Sequence, residues 1–393
     1  MKFRSMHVGH VVATGRWAVV LALLALTSAA SVAQQENTAV LTAVKDPGTQ
    51  EVTLGNDLVR LRFPMGQPKF GVFPKGYVGY TLEAHKDGEW KPVARAAYFT
   101  AFSFRSVWGR DFLHYIVPPN AEVAQDASSA RAVFSDARAD LDRGGWSFSF
   151  IFEVKPNDPF IHVTYTAVPE FEREVLLFQG PRLYVGDGTF GERKDEALFP
   201  GLEYLGPDDR SSHISALAPD ARFNFAPDPA KITIPMMAVV CDGLTAGIAW
   251  DPMQNWYGSH TGATAVFASP NFLESAPNHL LGVFVPAGKD FVPENGLRAD
   301  RPVTVEARGT LKLESDLFAG PATHVTDALE MWIKHVGGLP NPNPPTEPPR
   351  ALVNKLAATL VNDVWNEEAK GWPWDFGGKA GPQGGGRSRV QDR

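Results

Sequence analysis

The chain is poor in the residues that anchor several kinds of chemistry. Its 393 residues include one cysteine, Cys241, so no internal disulfide can form. A thiolate zinc cluster is excluded for the same reason. Cys241 ends the apolar run MMAVVC and reads as a small buried hydrophobe. The sequence has no HExxH helix, EF-hand loop, P-loop or GxSxG elbow. Neither a metal nor a cofactor is therefore expected. An excess of basic residues is also missing: the formal net charge is −7. That argues against nucleic acid or an anionic membrane surface as a partner. The longest apolar stretch, Trp17 to Ala30, is about 14 residues, short of the ~20 a spanning helix needs.

Turn formers and large rings are abundant instead: 36 Gly, 32 Pro and 25 Phe. This suits many strands joined by turns. Trp146-Ser147-Phe148-Ser149-Phe150 alternates strictly, Asn157-Asp158-Pro159 turns the chain, and Ile161 to Tyr165 returns. Ile232 to Cys241, Asp242-Gly243 and Leu244 to Trp250 spell a second hairpin. Val303, Val305 and Ala307 alternate, and Leu311 and Leu313 continue the pattern past Gly309. No regular helical stretch interrupts Thr38 to about Ser315. The expected fold is mainly β: a large antiparallel β-sandwich followed by a short helical C-terminal segment.

The two ends differ from this middle. Lys2, Arg4 and Arg16 precede the apolar Trp17–Leu26, and Ser31-Val32-Ala33 fits a small-x-Ala cleavage site. Residues 1–33 thus read as a signal peptide, which predicts a periplasmic or extracellular protein. Removing three basic residues and no acid leaves −7 − 3 = −10. The sandwich is assigned to 34–320, and a helix with a Pro-rich linker to 321–350. Val325, Leu329, Trp332 and Val336 carry the helical spacing, Gly337-Gly338 stop it, and Pro340 to Arg350 holds six prolines. Leu352, Leu356, Leu360 and Val364 predict another helix over Ala351–Trp365. Residues 351–378 then read as the start of a truncated helical domain, and 379–393 as a disordered tail. Genomic sequence beyond codon 375 tests the truncation: a clean stop with no helical coding sequence in any nearby frame removes it.

That order, with LFPGLEYL, SPNFLE plus Asn278-His279, and Trp250-Asp251-Pro252, resembles carbohydrate-active enzymes. These combine a galactose-mutarotase-like β-supersandwich with an α/α toroid. The resemblance implies a glycoside hydrolase or polysaccharide lyase acting on an oligo- or polysaccharide. It also implies a main acid or base on the toroid or at the seam, which leaves this chain catalytically incomplete.

The residues themselves point to Leu198–His213, where neither strand nor helix period runs. Glu203 and His279 are the candidate catalytic groups. Glu203 paired with Asp208 or Asp251 suits glycosidic cleavage, which needs two carboxylates ~5 Å or ~6.5–9.5 Å apart. Otherwise Glu203 anchors its loop and Asp208-Asp209 is a solvated turn. Arg210 is the candidate clamp for a uronate carboxylate, or else a structural ion pair. His213, His260 and His279 are proton carriers or hydrogen-bonded fillers. Trp250, Asp251 and Trp256 are expected to form a sugar-binding wall, the alternative being core packing. Trp372 and Trp374 face the same choice, and His162, inside a strand, reads as structural. Gly186-Asp187-Gly188-Thr189-Phe190-Gly191 matches G-x-G-x-x-G, but no helix follows, so it reads as an ordinary turn. Segments 198–213, 250–260 and 274–280 are expected to line one groove. A non-catalytic envelope or extracellular binding module is the rival reading.

Overall fold

A computed structural model describes residues 40–65, 79–106, 109–140, 144–211, 225–288, 291–292, 295–338 and 347–365, and the backbone of 371–373 and 387–389. The expected signal peptide, the linker's middle and most of the tail lie outside the described residues.

Two antiparallel sheets face each other across one core. In the larger, Thr42–Lys45, Val52–Gly55, Val59–Phe63, Tyr80–Lys86 and Glu89–Ala96 form a meander. It continues through the long central strand Arg173–Val185 to His279–Val285 and Thr264–Ala268. Thr100–Arg105 and Val303–Val305 also pair with that central strand. The smaller sheet runs Glu203–Leu205, Glu196–Phe199, Met236–Cys241, Leu244–Ala249, Leu311–Pro321, Phe160–Pro169, Gly145–Val154, Ala130–Asp140 and Asn120–Gln125.

Alternation explains how each strand chooses its face. In Gly145–Val154, Trp146, Phe148, Phe150, Phe152 and Val154 are buried while Ser147 is exposed. Their partners across the core come from the larger sheet: Phe63 lies 4.5 Å from Phe134 and 5.0 Å from Phe152, centroid to centroid. Tilted and edge-on ring contacts of this kind add stability beyond burial. Tyr80 and Tyr165 bring their buried hydroxyls within 3.4 Å, so neither is stranded in the core.

The turns follow their sequence chemistry. Asp242 and Gly243 adopt φ of 54° and 73°, which joins Met236–Cys241 tightly to Leu244–Ala249. The stretch around Gly309 departs from expectation. Val303–Val305 joins the larger sheet, whereas Leu311–Pro321 joins the smaller one. The left-handed φ of 63° at Arg308 breaks the strand, so the chain changes sheets.

The helix Val325–His335 lies on the outer face of the smaller sheet. Ala328, Leu329, Met331 and Trp332 pack on Phe160, Met236, Ala238, Ala249 and Phe318. Both helix ends are tied down. Glu196 accepts hydrogen bonds from Val325 N (2.8 Å) and pairs with the His324 ring (3.3 Å). At the other end His335 stacks on Phe160 at 3.9 Å and contacts Asp158 (3.1 Å) and Asp316 (3.5 Å). Asp316 also holds His162 at 2.8 Å, with Glu314 3.7 Å from the second His162 nitrogen. Burial alone would discharge His335, but its two carboxylates prevail and push it up to about 9.

Contacts divide the chain into Met1–Gly337 and Gly338–Arg393. The second unit holds a helix, Pro349–Thr359, continued by a π turn over Leu360–Val364, and it exposes Val353, Leu356 and Val361. Within the expected disordered tail, Arg387–Arg389 pairs with Gly371–Pro373. A backbone ladder needs no side-chain burial, which is why composition did not suggest it.

Candidate functional site

The expected groove does not form as drawn, because three of its proposed walls belong to the interior. Trp256 is 1% exposed and Trp250 4%, and the Trp250 ring donates to Ala263 O at 3.1 Å. Phe199 meets Trp250 edge-on at 6.0 Å within the core. Trp256 is stacked by His260 at 5.5 Å. Both tryptophans are therefore packing residues, not sugar platforms. His279 is fully buried, and both ring nitrogens are engaged, by Ser269 Oγ at 2.8 Å and Arg193 O at 3.0 Å. Burial pushes its pKa down to about 4, so it is a neutral filler and not a proton carrier.

The stretch from Leu198 is more regular than expected. Glu196–Phe199 and Glu203–Leu205 pair as an edge hairpin around Gly201 at φ 79°, because Ala197, Phe199 and Leu205 all reach the core. Glu203 is 8% exposed at the start of the second strand. Asp208, Asp209 and Arg210 are exposed, and Asp209 closes its own turn by accepting from Gly206 N at 2.8 Å. Asp251 is exposed and accepts from Met253 N at 2.8 Å. His213 and Trp374 lie outside the described residues, as does the Trp372 side chain. Segments 206–211 and 269–279 do meet. Ser211 and Ser269 exchange hydrogen bonds of 3.0 and 2.8 Å above His279.

A different set of residues converges on the outer face of the larger sheet. Phe102, Phe104, Phe178 and Leu183 point into the core. Ser103, Gln179, Arg182 and Tyr184 therefore point the other way. Tyr115, on the strand Asp111–Ile116 that pairs with Thr100–Arg105, and Tyr98, in the bend just before Thr100, join them with ring centroids 4.7 Å apart. Over this face folds the loop Asn271–Ala276, closed by its own bridge. It delivers Glu274 to Arg182, with 2.5 Å between Oε1 and Nη2. Glu274 also accepts from the Tyr184 hydroxyl (3.3 Å) and from Asn271 Nδ2 (3.1 Å). The network continues through Asn271 to Asn278 (2.9 Å), Asn278 to Asp187 (3.3 Å) and Asp187 to Arg95 (3.5 Å). Burial raises the Tyr184 hydroxyl well above its ordinary range and the Tyr98 hydroxyl above it, so both stay protonated donors.

This arrangement is incomplete as a self-contained structure. Ser103 Oγ, Gln179 Nε2 and Arg182 Nε are buried with no hydrogen-bond partner among the described residues. An unmade buried hydrogen bond costs about 1–3 kcal/mol, so three on one face call for an explanation. An oriented carboxylate, a guanidinium, an amide and three tyrosines can together hold a polyhydroxylated ring.

No protein-family model matches the chain, and no curated protein matches it. Solved structures similar to it include an α-N-acetylgalactosaminidase from Bifidobacterium bifidum. That pair is 12% identical at TM-score 0.43, covering 72% of this chain and 38% of that one. A GH36 α-galactosidase from Geobacillus stearothermophilus is 9% identical at TM-score 0.45, with 72% and 41% covered. A galactose mutarotase related enzyme from Lactobacillus acidophilus is 8% identical at TM-score 0.37, with 70% and 98% covered. The chain thus spans well under half the length of the two glycosidases.

Sequence reasoning missed Arg182, Tyr184 and Tyr115, which sit in strands that read as ordinary scaffold, and Tyr98, in the bend before Thr100. Glu274, Asn271 and Asn278 stood inside the quoted SPNFLE and Asn278-His279 but received no role. The density of amides and acid in those ten residues was the available signal. The Gly186–Gly191 run forms a turn. Gly186 leaves no room for a Cβ, which would lie 2.2 Å from Gly191 O, and Gly188 admits the Arg95 guanidinium.

Proposed function

We propose that this chain is a carbohydrate-related protein whose sandwich binds an oligo- or polysaccharide on the outer face of the larger sheet. The observation that carries the reading is the Arg182–Glu274–Tyr184 network with unpartnered polar atoms beside it. Sugar sites combine aromatic walls with a few fixed polar groups, and the half-buried Tyr115 supplies the wall, backed by the buried Tyr98 and Tyr184. Glu274, fixed by three donors, accepts from ligand hydroxyls, and Gln179 and Arg182 donate to them. The chain would work after export, in the periplasm or outside the cell. Hydrolysis or elimination would draw on groups beyond this face, and Glu203 and Arg210 keep their proposed roles there.

A glycan array with the full chain tests the reading. Binding should be lost in Tyr115→Ala and weakened in Tyr184→Phe while circular dichroism stays unchanged. Retention of binding by both variants removes the site. Assays for new reducing ends and for unsaturated uronate absorbance then separate the two roles. Product means an enzyme, and binding without product means a binding module.

A further inference from the structure

Three turns of the sandwich meet at a second concave place, whose lining shares no residue with the outer-face network. The hairpin tip Asp87-Gly88, the glycine-rich turn Gly186–Gly191 and the tip Asp242-Gly243 surround a cavity of about 350 Å³. That volume falls within the ~300–1,000 Å³ of small-molecule sites. Its floor is apolar, with Val93, Phe190 and Leu244 among the lining residues. Its lining sets three cations, Lys86, Lys91 and Arg193, against two acids, Asp87 and Asp242.

The two paired cations are each held by one acid. Arg193 Nη2 meets Asp242 Oδ2 at 2.8 Å, and Lys91 pairs with Glu89. Lys86 differs. Its ammonium donates to the backbone carbonyl of Asp242 at 2.9 Å and has no acid partner among the described residues. Lys86 packs against Gly243, where a Cβ would lie 2.5 Å from Nζ. An ammonium pressed against a glycine turn, with a guanidinium beside it, is a receptor for an oxyanion.

We propose that this cavity is a binding site for a small ring-shaped ligand carrying an oxyanion, such as a uronic acid or a sugar sulfate. The ring rests on the Phe190 side. The carboxylate or sulfate takes the free N–H groups of Lys86 and Arg193, and Asp87 accepts from a hydroxyl. That the ring is a sugar rests on the saccharide reading above, while the cavity shares no lining residue with the outer-face network.

Titration calorimetry of the full chain with galacturonate, galactose and galactose 6-sulfate tests it. At least one of the two anionic sugars should bind, roughly tenfold or more tighter than galactose, as charged hydrogen bonds allow. Whichever binds identifies the oxyanion. Added salt should weaken that binding, and Lys86→Met, which keeps the stem, should weaken it about tenfold at an unchanged melting temperature. Tyr115→Ala, on the outer face, should leave it unchanged. The proposal is overturned if galactose binds equally well, if none of the three binds, or if Lys86→Met has no effect. Loss in Tyr115→Ala would likewise overturn it, by moving the ligand to the other site.

Discussion

The two outer faces of the sandwich solve the same problem differently. Each carries a charged group taken mostly out of water. On the smaller sheet, Asp316 meets His335, the last residue of the covering helix, and their neighbours His162, Asp158 and Glu314 complete the pairing. On the larger sheet, Arg182 lies under a loop that brings Glu274 to it, and Ser103, Gln179 and Arg182 Nε are left without partners among the described residues. A face covered for stability closes its polar accounts within the fold. A face that leaves them open does so for something outside it.

The largest expected effect tests that contrast at Arg182. Arg182→Ala strands Glu274 and should cost about 3–5 kcal/mol in denaturant unfolding. Replacing the pair by Met and Leu should restore most of this and still abolish glycan binding. If the apolar pair also binds, the network is structural and the contrast collapses.

Next comes acidity on the smaller sheet. His335 sits at about 9 when folded, above its unfolded value, so its contribution is complete below pH ~6.5. It should fall away as pH rises through 9, by an amount on the order of 2 kcal/mol. Urea melts at pH 6, 7.5 and 9 measure it, and His335→Gln should flatten that loss. His279 works in the opposite direction. Its folded value of about 4 means stability declines as pH drops from ~6.5 towards 4.

Gly247→Ala probes the covered face without touching charge. Its Cβ would meet Phe318 Cζ and Met237 O, both at 2.2 Å, so a loss of about 1–3 kcal/mol is expected by thermal unfolding. The smallest effect should be Tyr184→Phe, which removes one hydroxyl from Glu274 and should cost only about 1 kcal/mol of stability.

The fold was readable because strands declare themselves through alternation and turn residues. Trp146 to Phe150 and Asp242-Gly243 behave as their patterns require. The sheet change at Arg308 was hidden, since alternation on either side looks the same whichever sheet receives it. The site was far less readable. Aromatic residues in loops suggested walls, but Trp250 and Trp256 are consumed by the core. Arg182 announces nothing by its neighbours. Only the bulge between Gln179 and Arg182 and the return of the Asn271 loop give it a partner.

The solitary sulfur has a practical consequence. Cys241 is buried beside Asp242, and loss of solvent, reinforced by that carboxylate, pushes its thiol up to about 11. A maleimide at neutral pH should therefore ignore the native fold and mark only molecules whose hairpin Met236–Ala249 has come undone. With no second thiol to confuse the count, alkylation becomes a stopwatch for opening of that hairpin within the smaller sheet.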